Sequence, residues 1–348
     1  MVCGAMIGVA YIGGSFANTD VQLAWLFVLF AGVGLGVSNV LAKEAVGRRF
    51  TKNYATASGI ARTGYAVGLL VFAPLIQLFL NTYGWRGTMM LMGGVSLHLV
   101  VCGAVLTTSG KVTPQQTMYH QVSDQENSTS TVSQNTLAHR CSGVRENLCK
   151  NLDMRLLGIG HFWAPAVMMC CTIFADDMWI IYFVSQAQSN GFTAEQAGSF
   201  VSMASVGGVI GKVVQGLLTD CGVISSWSLT AMSIILSSAG YCSTPLLTSY
   251  WASAATAFLI LCSSGVLACQ VDVFIKQVMG VELLAGAFAW VGLLTAGMSF
   301  FAGFLPGLLY DLAGSYTAAF LIVGAVQGIP LIPLAILRYS YGRVESAE

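Results

Sequence analysis

The chain has 348 residues, 55% of them hydrophobic and only 9% charged. Its mean hydropathy is +0.73, and 15 basic residues balance 15 acidic ones at a pI near 6.9. A soluble domain carries about 25% charged residues. Composition therefore excludes a water-soluble globule, and equally a disordered or collagen-like chain. The charge balance offers no footing for nucleic acid.

Apolar runs fall at 1–17, 22–46, 55–80, 86–108, 157–186, 196–219, 226–247, 250–271, 281–310 and 315–338. They are continuous rather than alternating, which argues against a transmembrane β-barrel. A crossing needs about 20 apolar residues, so the runs read as ten membrane helices. Four precede and six follow one long polar stretch, 109–156, rich in Ser, Thr, Gln and Asn. The expectation is an all-α polytopic protein in four parts. Residues 1–108 form an incomplete four-span bundle, and 109–156 a disordered cytoplasmic linker. Residues 157–338 form a six-helix bundle, and 339–348 a cytoplasmic tail. Met1 leads straight into an apolar run, so no cleavable leader is expected.

Placing the connections on alternate sides puts Arg48, Arg49, Lys52, Lys111, Arg140, Arg145, Lys150, Arg155, Lys276, Arg338 and Arg343 on one side. Only Arg86 falls on the other. The excess of Lys and Arg on one side then assigns both termini and the linker to the cytoplasm. A sequon, Asn127-Ser128-Thr129, should stay unglycosylated on that loop. Most of the ten cysteines lie inside apolar runs and read as small hydrophobes, with no metal-ligand spacing among them. Glycines four apart, at Gly32/Gly36, Gly64/Gly68 and Gly207/Gly211, suit close helix contact in lipid.

Charges within the apolar runs carry the functional information, because each costs about 2.5–3.5 kcal/mol at a span centre. They are Lys43, Glu44, Arg62, Asp176, Asp177, Lys212 and Asp272. Lys43 and Glu44 lie near a span end, where they can pair or snorkel. Arg62 sits a couple of turns into its span. Lys212 is central, on one helix face with Ala204, Gly208 and Gly216. A cation among small residues leaves space for an anionic substrate, or else forms a structural ion pair. Asp176 and Asp177 point roughly 100° apart and cannot both face one cavity squarely. Asp272 has Lys276 one turn on as a pairing candidate. Asp176, Asp177 and Asp272 are the candidate proton-coupling carboxylates. His98 and His161 read as packing residues. No nucleophile elbow, zinc-protease motif or phosphate loop occurs, so an enzyme is not expected.

One block of sequence now carries a resemblance. Gly47-Arg48-Arg49-Phe50-Thr51-Lys52 is followed by Ala57-x-Gly59-x-Ala61-x-x-Gly64-x-x-x-Gly68, then Pro74-Leu75, Tyr83-Gly84-Trp85-Arg86-Gly87 and Gly93-Gly94. This resembles the monocarboxylate transporter family of the major facilitator superfamily. The family's fifth span opens with aromatic-x-Lys-Arg-Arg-x-x-Ala-x-Gly. Lys52 and Ala57-x-Gly59 match it, while Asn53 and Tyr54 replace the arginines. Gly216-x-x-x-Asp220-x-Gly222 resembles the superfamily's loop motif, without its trailing basic residues. Gly307-Leu308-Leu309-Tyr310-Asp311-x-x-Gly314 resembles the link between the last two spans.

The resemblance implies the major facilitator fold, with about ten of its twelve spans present and the match beginning at the third. It implies alternating-access transport of a small organic anion, foremost a monocarboxylate, with or without a coupled proton; the rival expectation is a truncated, non-transporting chain that is regulatory or inactive. It also implies a plasma-membrane location, no cofactor, and a single-span ancillary glycoprotein as a possible partner. Lactate-carrying members have Asp-x-x-x-Arg in the eighth span, where this chain has Gly208 and Lys212. Branches resembling carriers of aromatic amino acids also lack that Asp, and the substrate could lie there. Lys52, Gly59, Arg62, Gly216, Asp220, Gly222 and Asp311 are the expected conformational residues.

Overall fold

The computed structural model describes residues 1–108, 154–314 and 316–345. Most of the 109–156 linker, with its sequon and with Lys111, Arg140, Arg145 and Lys150, and the last residues of the tail lie outside the described residues. Every one of the ten apolar runs is helical, and there is no strand among the described residues. In chain order the helices are α1 (Val2–Ser15), α2 (Asp20–Leu26), α3 (Val33–Arg49), α4 (Tyr54–Ser96), α5 (His98–Thr108) and α6 (Gly160–Ser189). Then come α7 (Ala194–Asp220), α8 (Ser226–Ser243), α9 (Tyr250–Met279), α10 (Leu284–Ala313), α11 (Thr317–Gly328) and α12 (Leu331–Glu345). A π-helical turn, Phe27–Gly32, joins α2 to α3. Within α4 the helix breaks at Gly84, whose φ of +67° suits a residue without a Cβ.

Seven described segments are long and apolar enough to cross a membrane: Asp20–Arg49, Leu75–Ala104, Gly160–Ser189, Ala194–Asp220, Tyr250–Met279, Leu284–Leu305 and Thr317–Ser340. The shortfall from ten has physical causes. Val2–Ser15 is apolar but has only 14 residues. Ser226–Ser243 carries serines that turn inward: Ser233 and Ser237 are buried and donate to carbonyls one turn back. The first half of α4 carries Ser58, Arg62 and Thr63. Hydropathy falls where a helix spends polar side chains on its neighbours rather than on lipid.

The described residues divide into two compact units, one from within 1–38 and 85–154, the other from within 39–84 and 155–348. In the first, α1 packs on α5 and on the π-helical turn, where Tyr11 meets Phe27 edge-on at 5.0 Å. Thr19 caps α2, accepting from the Gln22 amide. Arg86 donates to the Ala17 carbonyl at 3.3 Å and to Asn18 at 3.1 Å.

In the second unit, α6–α12 pack with the first half of α4 and the end of α3. One core cluster centres on Trp179, Phe183, Phe200, Tyr241, Ile260 and Phe320. Another centres on Phe162, Met168, Leu267, Phe274 and Phe288. Helix α7 lies along α9. A Cβ at Gly207 would strike the Phe258 carbonyl, and one at Gly211 the Cys262 carbonyl, so this glycine pair does bring two helices together. The Gly64/Gly68 pair does not: both positions face open space. Spacing alone cannot say which glycine stripe meets a neighbour. The described cysteines are free thiols, and no described group could hold a metal ion.

Candidate functional site

The buried face of α7 includes Ala204, Gly208, Lys212 and Gly216, the stripe expected from their spacing. Helices α4 and α9 close over it. A Cβ at Gly59 would run into the Lys212 carbonyl, and one at Gly216 into the Thr56 Cα, so α4 approaches α7 backbone to backbone. Gly208 has looser neighbours, Leu261 and Ala66. The Lys212 side chain passes beside Gly265 of α9, where a Cβ would stand 3.2 Å from its Cγ and Cε. It is 9% exposed, and its Nζ lies 5.4 Å from the centre of the Tyr65 ring.

Among the described residues no carboxylate lies within salt-bridge distance of Lys212. Asp176 on α6 is the carboxylate within electrostatic range. It accepts a 3.0 Å hydrogen bond from the Tyr241 hydroxyl on α8. Asp177 turns away to α10 and accepts from Ser299, as the helical offset of about 100° requires. The cluster brings together three features. A desolvated ammonium has unused donors, a carboxylate lies near it, and an aromatic face lies over it.

A second cluster lies toward the start of α4. Arg62 donates to both oxygens of Asp272, at 2.5 Å from Nε and 2.8 Å from Nη2, in a fork that Lys could not supply. Lys43 approaches the same carboxylate at 3.9 Å and lies over the Phe288 ring, while Ser58 donates at 3.4 Å. The expected pair between Asp272 and Lys276 does not form. Asp272 is 1% exposed and faces α4, whereas Lys276 donates to the Phe50 carbonyl and covers the Tyr54 ring at 4.0 Å. Glu44 pairs with Arg48 one turn on at 2.7 Å.

One helical turn further, Asp220 caps α4. Its Oδ2 accepts from the Thr56 amide at 2.8 Å and the Thr56 hydroxyl at 2.6 Å, a carboxylate on the positive end of a helix. Gln215 donates to the Ala55 carbonyl at 3.1 Å, and Gln270 bridges to Gln215 and Thr219. Gly222 forms the turn after α7 with φ of +70°. Lys52 and Asp311 are exposed and join neither cluster, and His98 and His161 are exposed rather than packed. Tyr65, Tyr241, Thr56, Ser58 and Gln215 were missed by sequence reasoning. Each is an ordinary residue whose role exists only because a distant helix meets it.

A bundle of membrane-length helices with charged side chains buried between them is the architecture of a multi-pass membrane transporter rather than an enzyme. The chain belongs to the Major Facilitator Superfamily, whose profile matches residues 1–302. Mouse monocarboxylate transporter 12 is 26% identical over 97% of this chain and 71% of its own length. The human protein of that name is 27% identical over 93% of this chain and 64% of its own length. The superfamily transporter FucP in its outward conformation aligns with a TM-score of 0.61 at 16% identity, covering 96% of this chain and 80% of that one. The proton:xylose symporter XylE aligns at 0.68 and 11% identity, covering 95% and 78%.

Proposed function

We propose that this protein carries small organic anions, monocarboxylates foremost, across the plasma membrane by alternating access, with a site near the midplane of the bilayer. The observation that carries the reading is the buried Lys212, whose ammonium is desolvated yet has no carboxylate at salt-bridge distance. A substrate carboxylate supplies that partner. The names of the relatives support the substrate class. The Arg62–Asp272–Lys43 cluster and the Asp220 cap on α4 act as the closure that must open on one side.

Proton coupling runs through Asp176, the carboxylate that faces Lys212. Protonating it removes the competing negative charge and favours binding of an anion. The linker and both termini lie in the cytoplasm, the bundles fall on either side of that linker, and a single-span glycoprotein accompanies the carrier. Uptake of labelled monocarboxylates into cells expressing the protein tests the reading. Lys212→Ala is expected to abolish uptake at unchanged surface expression, and uptake unaltered by it removes Lys212 from the site. Asp176→Asn should flatten the dependence of uptake on external pH. A pH profile like that of the parent protein would assign coupling elsewhere.

A further inference from the structure

At the end of the second unit where α6 meets the loop after α8 and the start of α9, a small cavity is lined by Phe183, Gln186, Asn190, Thr244, Ser253 and Thr256. Its polar groups fix one another's orientation. Asn190 directs Nδ2 at the Leu247 carbonyl (3.2 Å) and the Pro245 carbonyl (3.4 Å). Carbonyls only accept, so the Asn190 amide has its NH2 on that side and its oxygen toward Gln186. Gln186 answers with Nε2 on that oxygen at 2.9 Å. The other end of the Gln186 amide is therefore an acceptor by necessity. Gln186 is 2% exposed, and its Oε1 has no protein donor among the described residues. Thr244 spends its proton on the Gly240 carbonyl at 2.9 Å and offers the cavity only lone pairs.

Three features define the occupant. It must donate a hydrogen bond, because Gln186 Oε1 is fixed as an acceptor and a buried acceptor without a donor is costly. It must be small, since the space holds about one water molecule. It must be neutral, because no carboxylate lines the cavity. We propose that this cavity is a binding site for a single ordered water molecule, which donates to Gln186 Oε1 and reaches the hydroxyls of Ser253 and Thr256. The water joins α6 to α9 at a place where no direct side-chain hydrogen bond between them is formed. Two to four polar partners is the number such waters take.

Two measurements on the full-length protein in detergent test this. Thr256→Leu fills the cavity and expels its occupant. With water present, the substitution strands Gln186 Oε1, so the melting temperature falls. In a Gln186→Met background the Gln186 acceptor is already gone, and Asn190 Oδ1 has lost its donor whatever residue stands at 256, so the same substitution strands nothing further and should raise it. A rise in both backgrounds means a dry cavity and overturns the proposal. The second measurement does not depend on stability: millisecond X-ray radiolysis after mixing into oxygen-18 water. Phe183 is 3% exposed, so bulk solvent hardly reaches it, whereas the hydroxyl radical that radiolysis makes from a bound water adds to its ring, with dissolved oxygen taking the ring on to the phenol, and carries the old isotope if it forms before exchange. Prompt oxidation of Phe183 that lags the bulk isotope is expected. An unoxidised Phe183 overturns the proposal whatever the melting curves do.

Discussion

Asp272 illustrates how a single buried charge is kept in an apolar bundle. Its two oxygens are taken by the Arg62 fork, with Ser58 and Lys43 beside them. Removing one partner of a buried pair costs about 3–5 kcal/mol, because the other charge is left without compensation. Arg62→Met should therefore lower the melting temperature steeply, and Arg62→Met with Asp272→Leu should recover much of it, as read by scanning fluorimetry of the purified protein. A double variant no more stable than the single one would mean that Lys43 already compensates Asp272 once Arg62 is gone. Lys212 differs in kind. Its ammonium has an aromatic ring but, among the described residues, no carboxylate at contact distance, so Lys212→Met should cost uptake while leaving the melting temperature near that of the parent. The charge on Asp272 was legible in the sequence, but its partner was not. Arg62 lies 210 residues away, and only Lys276 was near enough along the chain to suggest itself.

At the scale of elements, the start of α4 is held by parts of two other helices. Asp220 ends α7 and caps α4, an arrangement in which loss of a cap costs about 0.5–2 kcal/mol. Asp220→Asn keeps the acceptor oxygen but loses the charge that favours the helix N-terminus. It should therefore destabilise less than Asp220→Ala, a ranking that thermal unfolding can check. Gly59 and Gly216 allow the same contact by having no side chain. Gly59→Val must push α4 off the Lys212 carbonyl, and transport should be lost with it. Normal uptake by a folded Gly59→Val protein would show that this approach is not needed for function. The helices themselves were readable as apolar runs. The loop motif at Gly216, Asp220 and Gly222 was readable as a pattern, but its contact with Thr56 was not, since nothing in α4's sequence names its capping partner.

At the scale of the whole molecule, the proposed alternating access parts α4 from α7 and α9 during the cycle. Cysteines placed at 55 and 273, which pack together beside this contact, and cross-linked by oxidation should then arrest uptake, and reduction should restore it. Uptake that survives complete cross-linking would mean that this contact stays closed throughout. On the orientation proposed from the bias of Lys and Arg, the turn after α7 lies in the cytoplasm. A variant that keeps only Cys221, which is exposed there, should react with a membrane-impermeant maleimide in permeabilised cells and not in intact ones.

The sequence by itself determined that this is an all-helical membrane protein, where its apolar runs lie, and which few charges the membrane would make costly. Those properties follow from composition and from the length of a bilayer crossing, both of which are local. The tertiary structure decided everything that depends on pairing. It joined Arg62 and Lys43 to Asp272, brought Tyr65 over Lys212 and the Tyr241 hydroxyl to Asp176, and set Asp220 on the end of α4. It also decided that Gly207/Gly211 and not Gly64/Gly68 forms a helix contact. A charge or a glycine in a membrane helix declares only that it needs a neighbour. Which neighbour it receives depends on the rotation and depth of two helices, and no segment read alone carries that information.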